Sequence, residues 1–108
     1  MDLKRIADEA KNGVVETHYD NDQLKSRANY KNGNLDGLRE MWYSNGQQQV
    51  RENYKDNKRD GLRESWHGNG QLMTRANYKD DKLDGLWETW YSNGQLEESA
   101  TYKDGVKQ

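Results

Sequence analysis

The sequence predicts an all-β fold: a single-layer antiparallel β-meander of about eight strands, with a short N-terminal helix. Three observations carry that prediction. Residues 13–108 divide into four 24-residue units (13–36, 37–60, 61–84 and 85–108) without slippage between copies, and a fixed period of this length marks a repeat architecture. Each unit holds two turn signals separated by alternating segments. Apolar content is concentrated in Trp and Tyr at fixed positions, in a chain that is 31% hydrophobic and 33% charged. That leaves too few aliphatic side chains for a two-layer sandwich, while a net charge of −2 is too small to hold the chain open by repulsion.

Met1–Asn12 is the one stretch outside the repeat. Leu3, Ile6, Ala7 and Ala10 fall on one helical face, Asp2 can cap its start, and Gly13 stops it. Twelve residues make a marginal helix in isolation. It is therefore expected to lean on the first strand and cover an open sheet edge, or else to dock a partner.

The first turn signal is Asn45-Gly46, Asn69-Gly70 and Asn93-Gly94, with Asn21-Asp22 in the first unit. Asn-Gly suits a two-residue type I′ hairpin. The second is Asn32-Gly33, Asp56-Asn57, Asp80-Asp81 and Asp104-Gly105, again residues that tolerate left-handed backbone. With two-residue loops throughout, Glu16 faces Arg27, Glu40 faces Arg51 and Glu64 faces Arg75. Tyr19 then faces Leu24, Tyr43 faces Gln48, Tyr91 faces Leu96, Tyr30 faces Leu35 and Tyr78 faces Leu83. One face is expected to carry the tyrosines, Leu24, Leu72, Leu96, three alanines, and Gly37, Gly61 and Gly85 under neighbouring aromatics. The other carries Leu38, Leu62, Leu86, Trp42, Trp66, Trp90 and the Glu/Arg pairs. Tryptophans two strands apart stand about 10 Å from one another, so they must pack on the intervening Gln49, Met73 and Glu97.

Little in the sequence suggests chemistry. There is no Cys, which removes disulfides and thiolate metal sites. His18 and His67 fall on opposite faces, so neither metal nor catalytic site is expected. Ser44 and Ser92 sit in turns, the carboxylates read as cross-strand partners, and no phosphate-loop spacing occurs. A catalytic residue or cofactor is thus not expected. A pI near 5.7 argues against nucleic acid. No apolar run approaches a membrane span, and residues 1–12 lack the apolar core of a signal peptide, so a cytoplasmic location is expected.

The pattern Gly-Leu-x-Glu-x-Trp-Tyr-x-Asn-Gly-Gln-Leu, followed by Tyr-Lys-(Asp/Asn)-Gly-Lys-Leu-Asp-Gly, resembles MORN repeats. It is most similar to the MORN repeat variant of bacterial proteins classed as antitoxins of toxin–antitoxin systems. The resemblance covers residues 13–108. His18 stands in place of Trp in the first unit, and Val106-Lys107-Gln108 ends the last, as atypical terminal units do. The resemblance implies an elongated single-layer sheet and a non-enzymatic antitoxin or immunity protein that neutralises a toxin by direct binding. The alternative is a MORN-type scaffold for a membrane surface or a protein assembly, which needs a basic face.

Departures between units point to a partner-binding surface. Trp87 replaces Arg39 and Arg63, Ser99 replaces the usual Arg and leaves Glu88 without its partner, and Glu97 and Glu98 add charge. These residues, with Trp42, Trp66, Trp90 and Tyr91, form the expected partner-binding set. The side-chain types are those that dominate protein interfaces, and the acidic patch suits a basic partner. The same charges would also discourage edge-to-edge pairing, and the sequence leaves the oligomeric state open.

Overall fold

The computed structural model describes residues 12–108. They form one antiparallel sheet of β1 (Asn12–His18), β2 (Leu24–Lys31), β3 (Asn34–Trp42), β4 (Gln48–Lys55), β5 (Lys58–Arg59), β6 (Gly61–Trp66), β7 (Leu72–Lys79), β8 (Lys82–Trp90), β9 (Leu96–Lys103) and β10 (Val106–Lys107), in chain order except that β5 and β6 both pair with β4. Eight strands are long, and the two-residue strands β5 and β10 bring the sheet to ten. The backbone measures 46 × 32 × 14 Å, the proportions of one twisted layer. The expected helix falls outside the described residues except for Asn12, which opens β1 and accepts a hydrogen bond from the Asn32 amide.

The second turn signal forms the expected two-residue turn, and the first does not. Asn32-Gly33 is the two-residue left-handed turn, with φ of 52° and 81°, and Lys31 faces Asn34 across it. Asp56-Asn57, Asp80-Asp81 and Asp104-Gly105 repeat this geometry. At Asn45-Gly46 the loop is three residues, Ser44-Asn45-Gly46. Tyr43 N donates to Gln47 O at 2.8 Å, Gly46 N donates to Tyr43 O at 3.0 Å, and the positive φ falls on Gly46. This is the three-residue hairpin in which Gly closes the turn. The Asn45 side chain supplies the reason Asn is there: its Oδ1 accepts the Gln47 amide at 2.9 Å.

The extra loop residue shifts the pairing by one, and a bulge shifts it back. Trp42 faces Gln48, while Met41 faces Val50 and Glu40 faces Arg51, so Gln49 is the unpaired residue. The expected Glu16–Arg27, Glu40–Arg51 and Glu64–Arg75 registers therefore hold, as do Tyr30–Leu35 and Tyr78–Leu83. The pairs between turn and bulge differ. Leu24 faces His18 rather than Tyr19, Tyr43 faces Gln47, and Leu96 faces Trp90 rather than Tyr91. Leu24, Leu72 and Leu96 accordingly join the tryptophan side.

A second irregularity recurs where each unit opens. Between the Tyr30–Leu35 and Ala28–Arg39 pairs, Asn29 alone spans Asp36, Gly37 and Leu38, and its Nδ2 donates to Leu38 O at 2.7 Å. Gly37, Gly61 and Gly85 lie in this bulge with φ of 105°, 106° and 112°. Their register partners are indeed Tyr54, Tyr78 and Tyr102. What demands Gly, however, is the positive φ, and the nearest atom to an added Cβ is that of Asn29, Asn53 or Asn77.

Successive units are tied by a repeated set of hydrogen bonds. Tyr19 and Tyr43 hydroxyls donate to Trp42 O and Trp66 O, each at 2.7 Å, and His67 Nε2 lies 2.8 Å from Trp90 O. Asn21, Asn45 and Asn69 amides donate to Ser44, Gly68 and Ser92 carbonyls. These bonds carry much of the adhesion between repeats, because the buried hydrophobic side chains among the described residues are only Ala28 and Ala76.

Candidate functional site

Strand register sorts the side chains onto two faces with different chemistry. On the tryptophan face three rows run across the strands. The first is apolar: Val14, Leu38, Leu62 and Leu86, separated by Asn29, Asn53 and Asn77. Val14, Leu62 and Leu86 are 55%, 38% and 46% exposed. The second row alternates charge: Glu16, Arg27, Glu40, Arg51, Glu64, Arg75, Glu88 and Ser99. Arg27 bridges Glu16 at 3.5 Å and Glu40 at 3.2 Å, and Arg75 meets Glu64 at 3.4 Å. Glu40 also accepts from Gln48 Nε2 at 2.8 Å. The third row holds His18, Trp42, Trp66 and Trp90, facing Leu24, Gln48, Leu72 and Leu96. The expected partners Gln49, Met73 and Glu97 are displaced by the bulge.

The expected partner-binding residues divide between the faces. Trp42, Trp66 and Trp90 are half-buried rather than fully presented. The guanidiniums of Arg27 and Arg75 lie over the Trp42 and Trp90 rings, at 5.4 and 5.9 Å from the centroids. Trp87 is on the opposite face, between Ala76 and Ala100, edge-on to Tyr102 at 6.2 Å. Glu88 keeps Arg75 as a neighbour on one side and meets Ser99 on the other. Glu98 shares the Trp87 face through Thr89, and the Glu97 carboxylate accepts from the Thr89 hydroxyl at 3.5 Å. Tyr91 flanks the Ser92-Asn93-Gly94 loop between β8 and β9, 51% exposed. Trp87 with Glu98, and Trp90 with Glu88, are thus two separate pairs rather than one acidic patch.

On the tyrosine face one row runs Val15, Ala28, Arg39, Glu52, Arg63, Ala76, Trp87 and Ala100. Large and small residues alternate along it except at Glu52, which stands where the other units have Ala. Glu52 is 1% exposed in a sheet with no second layer. Only long side chains folded over it achieve that. Its Oε2 accepts from Arg39 Nη1 at 2.7 Å and from the Tyr54 hydroxyl at 3.2 Å. Its Oε1 accepts from Arg59 Nε at 3.2 Å and Arg63 Nε at 3.1 Å. Burial pushes the Glu52 carboxyl up. The Arg39 hydrogen bond and the charges of Arg59, Arg39 and Arg63 outweigh it and hold the group below its ordinary value.

Sequence reasoning passed over this cluster because it looked for departures in the last unit. The signal was in the second: Ala28, Glu52, Ala76 and Ala100 form one column, and Leu35, Arg59, Leu83 and Lys107 another. Two departures in one unit, of opposite charge, point to each other.

No group of His, Cys and carboxylates fit for a metal occurs among the described residues. His18 ends β1 beside Leu24, and His67 is committed to Trp90 O. The tryptophan face has a shallow depression lined by Leu38, Arg51, Asn53, Leu62 and Glu64. The family model described as the MORN repeat variant matches residues 11–32, 35–56, 59–80 and 83–104. No curated protein matches the chain.

Proposed function

The chain belongs to the MORN repeat variant family, and from that premise we propose that it is a non-enzymatic protein-binding module that engages its partner through the tryptophan face. The observation that carries this reading is the row of Val14, Leu62 and Leu86, exposed on the tryptophan face. Apolar side chains repeated on alternate strands, with asparagines between them and charge alongside, are what a protein partner desolvates. Within the charged row, four carboxylates, Glu16, Glu40, Glu64 and Glu88, stand against three guanidiniums, Arg27, Arg51 and Arg75, so the row itself suits basic groups on a partner.

The antitoxin or immunity form of this function is the reading in which that partner is a toxin encoded beside the chain. Its support is the resemblance of the repeat pattern. The test is co-expression of the neighbouring reading frame in a heterologous host. The wild-type chain should restore growth, and the folded variants Leu62→Asp and Leu86→Asp should not. A harmless neighbour, or rescue indifferent to both substitutions, refutes the proposal. A second reading, a scaffold laid on an acidic membrane surface, draws on the arginines of the opposite face. Salt-sensitive co-sedimentation with anionic vesicles would favour it.

A further inference from the structure

We propose that Arg39, Arg59 and Arg63, gathered by the buried Glu52, form a binding site for a phosphate or phosphomonoester dianion on the tyrosine face. The site is separate from the protein-binding surface and lies on the other side of the sheet.

The argument begins with an oversupply of cations. In the alternating row, Arg39 and Arg63 flank position 52, and Glu52 faces both. A carboxylate shared by two guanidiniums is already an adequate structural motif. Arg59 is not needed for it, since Leu35 and Leu83 hold the same position in the neighbouring units and face Tyr30 and Tyr78 there. Arg59 nonetheless faces Tyr54 and turns its Nε onto the same Glu52 oxygen that Arg63 uses. Three guanidiniums now surround one carboxylate, leaving two positive charges in excess.

The donors are also left over. Tyr54 and the three arginines occupy both Glu52 oxygens, two donors on each, so that carboxylate has no acceptor capacity for more. Arg59 and Arg63 spend only Nε on it. Their terminal Nη groups, on side chains 39% and 25% exposed, have no carboxylate partner among the described residues and can meet a ligand, with the Tyr54 hydroxyl beside Arg59. Both guanidiniums are anchored to one oxygen and so lie side by side. Arg59 is further held against the Tyr78 ring at 5.4 Å. Donors fixed before the ligand arrives cost less ordering on binding, and guanidinium pairs match tetrahedral oxyanions bidentately. The surplus charge equals that of a phosphomonoester dianion and exceeds that of a single carboxylate. That selects phosphate over an acidic side chain.

The experiment titrates the full chain with inorganic phosphate, with acetate and chloride at matched ionic strength, and follows the arginine Nε–Hε signals by NMR. Phosphate should move the signals of Arg39, Arg59 and Arg63 saturably, acetate weakly, and those of Arg27, Arg51 and Arg75 not at all. Arg59→Leu, which installs the residue of the adjacent units and leaves Glu52 paired with Arg39 and Arg63, should weaken phosphate binding about tenfold or more. Arg75→Gln, on the other face, should leave it unchanged. Shifts that follow ionic strength whatever the anion, or equal affinity in Arg59→Leu, overturn the proposal; the wild-type anion comparison decides even if that variant fails to fold. Phosphatidylcholine vesicles with and without phosphatidic acid identify the source. Capture by phosphatidic acid vesicles that inorganic phosphate displaces supports the site with a lipid as its ligand. A phosphate response without capture supports it with a soluble one. Capture that persists in Arg59→Leu, with no phosphate response, overturns it.

Discussion

Replacing Glu52 with Ala should be among the most damaging single changes in this sheet, despite restoring the residue that every other unit carries. Three ion pairs at 2.7, 3.1 and 3.2 Å are lost together, and three arginines remain without a counter-charge. Breaking a buried pair by removing one partner costs about 3–5 kcal/mol. Here the arginines are 33%, 39% and 25% exposed and partly resolvated, which reduces the expected loss to about 2–3 kcal/mol. For a chain of this size that is a fall in Tm of about 10–20 °C on heating, and urea denaturation followed on tryptophan fluorescence reads the free-energy loss directly. The sharper assay is the double variant Glu52→Ala with Arg59→Leu. It removes one of the three stranded cations and returns both columns to the composition of the third unit. It should be more stable than Glu52→Ala alone, with a coupling of about 1 kcal/mol or more. A Glu52→Ala variant within about 0.5 kcal/mol of wild type, or additive effects of the two substitutions, would refute the account of the cluster.

Three further outcomes follow from the same geometry. Glu52 is held below its ordinary value of 4.5 in the folded state, so the stability it supplies is present above that value and declines as pH falls through the folded one; the gap in Tm between wild type and Glu52→Ala should narrow below pH 4.5 and not above it. Tyr43→Phe removes the hydroxyl bonded to Trp66 O and should cost about 1 kcal/mol, whereas Tyr91→Phe, whose hydroxyl has no partner among the described residues, should be nearly neutral in the same denaturation assay. Gly61→Ala forces a side chain to φ 106° and should cost about 1–3 kcal/mol; Gly68→Ala, with open space around it and no positive φ, should change the urea midpoint little.

The repeat, the meander and three Glu–Arg registers were legible because period and alternation are written directly in residue order. The loops were less so. Ser-Asn-Gly and Asn-Gly read alike, and the choice between a three-residue and a two-residue hairpin depends on where positive φ falls. The error did not propagate, because the bulge at Gln49 cancels the extra loop residue before Val50. Within that interval it moved Leu24, Leu72 and Leu96 to the wrong side and gave the tryptophans the wrong neighbours. Trp87 was grouped with Trp90 on the evidence of proximity in sequence, yet an odd separation along a strand puts the two on opposite faces. The Glu52 cluster was visible as two unusual columns. Its depth of burial was not, since a one-layer sheet gives no sequence cue that side chains from three strands will close over a fourth.

A sheet with so little enclosed apolar surface has to hold together by other means, and the position of those means explains where variation is tolerated. The Tyr, Asn and Gly residues that tie one unit to the next sit at the turns and bulges, at strand ends. Positions in mid-strand are thereby released from a strict packing requirement and can differ between units: Ala or Glu at 28, 52, 76 and 100, Arg or Trp at 39, 63 and 87. Changes there that come with their partners, as Glu52 does with Arg59, redecorate a face without loosening the stack. The second unit has used that freedom to build a positive centre on the tyrosine face, while the tryptophan face keeps its row of alternating glutamates and arginines. Strand alternation sends neighbouring side chains to opposite sides of one layer, so the two sides can be altered and occupied independently, with no residue shared between them.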